Sequence, residues 1–219
     1  MTAEASSLRA VARVGFWSSV LTAAFCVFFT VAAVLTEARL LPPPWNVLLP
    51  LAPSLLLAPS FVAMMVSVNA LVPSARRIWS QIGVAFACIY APLCAAAYIV
   101  ELFVVEPRVL RGQTTEIALL TLVRGDSVFN AIDGIGYVFM CLATLVTAPA
   151  FDNTRRQRWI RRLFVANGVL GIPIFITYFV DRGFMWLAAP WSVTITGSAV
   201  LLAIHFRRSE PPYAAKSDA

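Results

Sequence analysis

Between positions 14 and 35 the chain runs for twenty-two residues without a charged side chain. A helix needs about 20 mostly apolar residues to cross the hydrocarbon layer of a bilayer. Five further segments have the same character, at about 47–72, 78–105, 128–150, 163–180 and 184–206. Hydrophobic residues make up 60% of the chain and charged residues 13%. A soluble domain is typically about 45–50% apolar and about 25% charged, so a water-soluble globule is excluded, as are disorder, collagen, a coiled coil and a disulfide-rich secreted scaffold. A β-barrel would show short alternating strands instead of long continuous runs. Lipid offers the backbone no hydrogen-bond partner outside itself, which leaves helices. The expected fold is all-α: a single polytopic transmembrane helical bundle over residues 1–219, with six spans.

The positive-inside rule sets the expected orientation. With the N-terminus inside, the inner segments hold Arg9, Arg13, Arg76, Arg77, Arg155, Arg156, Arg158, Arg161, Arg162, Arg207, Arg208 and Lys216, twelve of the seventeen basic residues. The outer segments hold Arg39, Arg108, Arg111, Arg124 and Arg182. Both termini are therefore expected in the cytoplasm, and the localisation is an integral protein of a bacterial cytoplasmic membrane. Trp45 and Trp186 fall near the outer ends of spans, Trp79 and Trp159 near the inner ends, which matches an aromatic belt. The basic run FDNTRRQRWIRR (151–162) reads as a topology anchor in contact with anionic lipid, not as a nucleic-acid patch. The first span exceeds the 7–15 residues of a signal-peptide core and reads as a retained anchor. Cys26, Cys88, Cys94 and Cys141 lie inside apolar runs, with no C-x-x-C pair, and read as small core packers. His205 is the one histidine and reads as interfacial. Metal and cofactor are both expected to be none.

Ionisable side chains inside spans are functional candidates. Here they are ordered. Asp126, Asn130, Asp133 and Tyr137 are spaced 4, 3 and 4 apart and form one stripe on the fourth span. The fifth repeats the pattern with Asn167, Gly171, Ile174, Tyr178 and Asp181. Tyr90, Cys94, Ala97, Tyr98 and Glu101 share a face of the third, and Trp191, Thr194, Ser198 and His205 a face of the sixth. At 1.5 Å per residue, Glu101 lies about 6 Å and Asp133 about 7–8 Å from the outer ends of their spans. Facing stripes at common depth predict a partly acidic, aromatic-walled cavity in the outer half. Each acid also has a plainer reading. Glu101 can pair with Arg108 or Arg124 at the interface, Asp126 sits in a capping position, and Asp181 reads as a helix-end charge. Asn69 and Asn167 read as inter-helix hydrogen-bond partners. Asp133, flanked by Gly134 and Gly136 within an apolar run, is the hardest to explain that way.

There is no Gly-rich phosphate loop, no H-E-x-x-H, no G-x-S-x-G and no D-D-x-x-D in the chain. What remains is two intramembrane carboxylic acids among aromatic rings. An acid in an apolar site favours its neutral form and can give its proton to an alkene or epoxide. Aromatic faces stabilise the resulting cation, and a water-poor site protects it from quenching. On Glu101, Asp133 and this layout the chain resembles the small integral-membrane, metal-independent terpene cyclases of meroterpenoid and indole-terpenoid pathways, including the bacterial drimentine-type cyclases. That family is often drawn with seven spans, so the resemblance makes a seventh possible here. The stretches SLLLAPSFVAMM, IWSQIGVAFACIYA and GYVFMCLATLVTAPAF also look like those of bacterial membrane proteins without an assigned function.

The resemblance implies proton-initiated cyclisation of a hydrophobic prenylated small molecule. Asp133 or Glu101 would donate the proton, supported by the other acid and by Asn130, Tyr98 or Tyr178. Tyr90, Phe129, Tyr137, Phe175 and Trp191 would complete the substrate-binding wall. Beyond the substrate, the expected partner is membrane lipid, and nucleic acid is not expected. The alternative is a transporter or small-ligand-binding protein using the same acidic outer cavity; a structural or assembly subunit is a third reading. A separate expectation concerns the connection EPRVLRGQTTEIALLTLVRGDS (106–127). Its apolar stretch 117–123 is too short to span and is expected to fold as a short helix or turn over the outer ends of the third and fourth spans, like a lid that keeps water from Glu101 and Asp133.

Overall fold

A computed structural model describes residues 3–122, 125–180 and 185–209, with side chains described from residue 6 and, in the last stretch, from residue 187. Arg124, Asp181, Arg182, Lys216 and the Trp186 side chain therefore lie outside the described residues, as do Val123 in the lid and Phe184 at the expected start of the sixth span. The described residues are helical or connecting turns, with no strand among them.

Helix α1 (Ala3–Glu37) is one unbroken helix, and α2 (Trp45–Leu71) follows despite three internal prolines, Pro50, Pro53 and Pro59. Helix α3 (Arg77–Val100) is entered by a 3-10 turn (Ser74–Arg76) and continues through a π-helical turn (Glu101–Val105) into α4 (Glu106–Val109). Helix α5 (Val128–Thr147) ends in a 3-10 turn (Ala148–Ala150). Next come α6 (Arg155–Val169), α7 (Gly171–Phe179), α8 (Met185–Ala188) and α9 (Trp191–Ser209). Five of the helical stretches are long and apolar enough to cross a membrane: Ser6–Glu37, Trp45–Leu71, Ser74–Val109, Val128–Ala150 and Arg155–Phe179. Helix α9 is the shorter sixth, 19 residues long.

The expected span limits shift in three places, each for a local reason. The third runs past 105 because the π turn, in which the Glu106 N–H bonds the Glu101 carbonyl, carries the helix on to Val109. The fifth is broken at Leu170: Pro173 has no N–H for the carbonyl of Val169, and its ring crowds that carbonyl. The sixth starts at Trp191, not at 184, because Pro190 favours the head of a helix, where its carbonyl takes the N–H groups of Val193 and Thr194 at 3.1 Å. The cap of α5 is also one residue later than expected. Ser127, not Asp126, holds it, with its Oγ accepting from Asn130 N–H at 3.0 Å.

Contacts run α1–α2, α2–α3, α3–α5, α5–α6 and α5–α7, α6–α9, and back from α9 to α1, closing a ring of helices. Helix α5 is its most enclosed member. Of its apolar window 56% is buried, against 39% or less for the other four long stretches. That explains why the polar stripe of α5 becomes the centre of the molecule. Exposed Trp45 and Trp79 mark the ends of α2 and α3. Trp159 on α6 is exposed and takes the Arg162 guanidinium over its ring at 5.0 Å. Cys26, Cys94 and Cys141 are buried packers, whereas Cys88 faces outward.

Candidate functional site

Asp133 is 5% exposed and lies on the inward face of α5. Its Oδ2 accepts a hydrogen bond from the Tyr178 hydroxyl of α7 at 2.9 Å. Its Oδ1 is buried and accepts none. Among the described residues no cation pairs with it. A carboxyl group with one oxygen held and the other bare, enclosed in protein, is costly to maintain as a structural part. Gly134 makes the Tyr178 contact possible: a Cβ there would fall 2.6 Å from the Tyr178 ring. The next turn repeats the device, since a Cβ on Gly136 would meet Cys94 Sγ at 2.6 Å.

Rings surround the acid. Tyr137, one turn along α5, is the hub, with centroids 6.2 Å from Tyr90, 6.4 Å from Tyr178 and 5.0 Å from Trp191. Its hydroxyl accepts from Tyr98 at 2.8 Å. Tyr90 packs edge-on against Phe61, and Trp191 meets Phe29, extending the aromatic layer to α2 and α1. The Tyr90 hydroxyl is a second buried polar group without a partner. Asn130 is buried one turn from Asp133, and Phe129 packs against the core. Tyr90, Tyr98, Asp133, Tyr137, Tyr178 and Trp191 are thus joined in one connected cluster, with Asn130 buried a turn away on α5.

Two of the expected site residues stand apart. Phe175 is 46% exposed and packs on Phe179, on the outward face of α7. Glu101 is buried, but not beside Asp133. Cys94, whose thiol points at the Asp133 carbonyl at 3.8 Å, marks the level of Asp133 on α3. Glu101 lies seven residues on, about 10 Å nearer the lid at 1.5 Å per residue. The two acids do not share a depth. Glu101 is instead bound by the lid, accepting Leu122 N–H at 2.8 Å and the Thr121 hydroxyl at 3.2 Å. The lid is folded as a 3-10 turn (Thr115–Ile117) with Ile117 buried, and the Leu119 carbonyl accepts Val128 N–H at the start of α5. Arg108, one of the two pairing partners expected for Glu101, is not among the groups that hold it, and the other, Arg124, lies outside the described residues.

The open outer cavity expected from the stripes is not formed among the described residues: Tyr90 has no accessible surface and Tyr98 only 2%. The rings fill the space themselves. Open cavities lie elsewhere. One of about 270 Å³ sits at the opposite end of the bundle between the ends of α2 and α9 and the loop before α6, and His205, Asp152 and Gln157 reach it. Arg76 pairs with Asp152 at its rim. Among the described residues no three His, Cys, Asp or Glu side chains gather where a metal ion could sit.

One feature of the polar core was not singled out from the sequence. Thr144, eleven residues beyond Asp133 on the same face of α5, accepts from Asn167 Nδ2 at 2.9 Å, and the Thr194 hydroxyl donates to Asn167 Oδ1 at 2.9 Å. The stripe of Asp133, Tyr137, Cys141 and Thr144 therefore continues past the aromatic layer and ties α5, α6 and α9. Its signal was the same i, i+4 spacing, prolonged by two turns. Asn69 makes the expected inter-helix bond as well, accepting from Ser80 at 2.8 Å. No family model, curated protein or solved structure matches the chain.

Proposed function

We propose that the protein is a membrane-embedded, metal-independent terpene cyclase in which Asp133 is the proton donor. The observation that carries this reading is the bare, buried Oδ1 of Asp133 beside a hub of four tyrosines and Trp191. Asp133 works as the neutral acid. Its Oδ1 proton passes to an alkene or epoxide of a prenylated substrate; the electron pair of that group forms the new C–H or O–H bond and leaves a carbocation. A neighbouring double bond closes the ring. A carbon-bound proton is then lost, and the carboxylate, stabilised by the Tyr178 hydroxyl, takes it back. The sequence is redox-neutral and needs no co-reactant. The faces of Tyr137, Tyr90 and Trp191 stabilise the travelling cation, each ring by about 0.5–2 kcal/mol. Substrate admission requires the rings to part, and the lid held by Glu101 restricts water in that state.

The same reading places six spans in a bacterial cytoplasmic membrane with both termini inside, on the strength of the arginines that crowd one end of the bundle. The test is incubation of the purified protein with farnesylated and geranylgeranylated acceptors, with analysis for cyclic products. A second reading, a transporter of a small ligand, draws on the polar stripe that runs from Asp133 through Thr144 toward the end with the 270 Å³ cavity. Flux into proteoliposomes, driven by a proton gradient and lost in Asp133→Asn, would favour it; cyclic products without flux would favour the enzyme.

A further inference from the structure

A groove of about 580 Å³ runs down the outside of the bundle between α1 and α2. Arg13, Trp17, Leu21 and Phe25, each four residues from the last, form its α1 wall, and Leu56 and Ala63 stand on the α2 side. The two hydroxyls that border it are turned back into their own helices: Ser18 donates to the Gly15 carbonyl at 3.2 Å and Ser60 to the Leu56 carbonyl at 2.9 Å. The groove therefore presents carbon along its length and a guanidinium at one end. Arg13 is exposed there, and Trp17, 61% exposed, lies one turn deeper, where a ring at a membrane interface sits.

The length is informative. From Arg13 to Phe25 is twelve residues, about 18 Å of helix. One leaflet of a hydrocarbon core of about 30 Å is about 15 Å deep. The groove starts at a charge and is about as long as one leaflet is deep. We propose that it is a binding site for an anionic phospholipid, one acyl chain lying along α1 and the phosphate headgroup meeting Arg13. A guanidinium fork suits a phosphate group. A second copy of the chain is the poorer occupant, because packing it here would desolvate Arg13 against another apolar helix.

The experiment uses the full chain, depleted of lipid in neutral detergent, and native mass spectrometry after addition of phosphatidylglycerol or of phosphatidylcholine with the same chains. The wild type is expected to retain phosphatidylglycerol in preference. Arg13→Gln should lower that retention about five-fold and leave phosphatidylcholine unchanged. Ala63→Phe, which fills the groove, should lower retention of both. Equal retention of the two lipids by the wild type would overturn the proposal, as would a preference that survives Arg13→Gln. So would a lipid-free dimer that Ala63→Phe separates, which would assign the groove to a second copy. Both substitutions face outward, and an unchanged melting temperature would show that the fold is kept.

Discussion

Tyr178 Oη donates to Asp133 Oδ2 across 2.9 Å, and this bond joins α7 to α5 at the level where the aromatic rings meet. It has two consequences. It fixes the rotamer of the acid, so that Oδ1 rather than Oδ2 is the available oxygen. It also supplies a donor to the carboxylate once a proton has left, when a hydrogen bond to a charged group is worth more than one to a neutral group.

Removing the donor while keeping the ring isolates that contribution. In Tyr178→Phe the aromatic layer persists, and a carboxylate formed at Asp133 during turnover would lose the Tyr178 donor. The cyclisation rate is expected to fall ten- to a hundredfold, as about 1.5–3 kcal/mol of charge-assisted hydrogen bonding would require. Steady-state product formation checks this, and an unchanged rate would remove Tyr178 from the mechanism.

Gly134→Ala attacks the same contact from the other side. The new methyl would stand 2.6 Å from the Tyr178 ring, so α7 or the ring must shift. Overpacking of this kind costs about 1–3 kcal/mol. Both a lower melting temperature and a loss of turnover like that of Tyr178→Phe are expected. The comparison Gly→Ala at position 112, where nothing lies within 4 Å but φ is +75°, should affect stability through backbone strain alone and leave turnover per folded molecule intact.

Glu101 belongs to the lid, and its variants should report on the lid. Glu101→Ala removes the acceptor of Leu122 N–H and of the Thr121 hydroxyl. Amide exchange across residues 115–122 should accelerate at least tenfold, which corresponds to losing about 1.4 kcal/mol or more of hydrogen bonding to a charged or partly charged acceptor. Cyclisation should continue, with a larger share of water-quenched, hydroxylated product. A Glu101→Ala variant that loses all turnover while its lid stays protected would return Glu101 to the chemistry.

The lower polar contact should be structural. Asn167→Ala strips Thr144 and Thr194 of their shared partner, although both hydroxyls keep bonds to carbonyls of their own helices. A loss of about 1 kcal/mol is expected, read as a lower melting temperature with turnover per folded molecule unchanged. Loss of proteoliposome flux without loss of stability would favour the transport reading, in which this column conducts.

Periodicity carried most of the site. The 4-3-4 spacing of Asp126, Asn130, Asp133 and Tyr137 identified the inward face of α5, and the facing stripes of α3 and α7 brought Tyr98 and Tyr178 to it. What failed has a physical cause. In lipid the outer surface is as apolar as the core, so a phenylalanine in a span carries no mark of which way it points, and Phe175 was placed inside when it faces out. Depth counted from span ends assumed regular helices that stop where hydropathy stops. The π turn after Val100 and the helical continuation to Val109 carried the end of the span from 105 to 109 and broke that count. Hydrophobic runs also hide helix punctuation: Pro190 and Pro173 were visible, yet the runs around them read as continuous. The lid was legible because a stretch of seven residues, 117–123, six of them apolar, was too short to span and too apolar to leave in water. That Glu101 would be its anchor was not, since a carboxylate bound to backbone N–H leaves no pattern in the sequence.

In the proposed reaction the Asp133 carboxyl proton starts the cyclisation. Cyclisation of a farnesylated or geranylgeranylated acceptor in D2O tests it most directly, because the carboxyl hydrogen exchanges with solvent and the transferred atom stays on carbon when an alkene is attacked. The wild type is expected to give cyclic product carrying one deuterium at the protonated carbon, and Asp133→Asn at least a hundredfold less product, the loss expected for a general acid. Deuterated cyclic product from Asp133→Asn at the wild-type rate would contradict it.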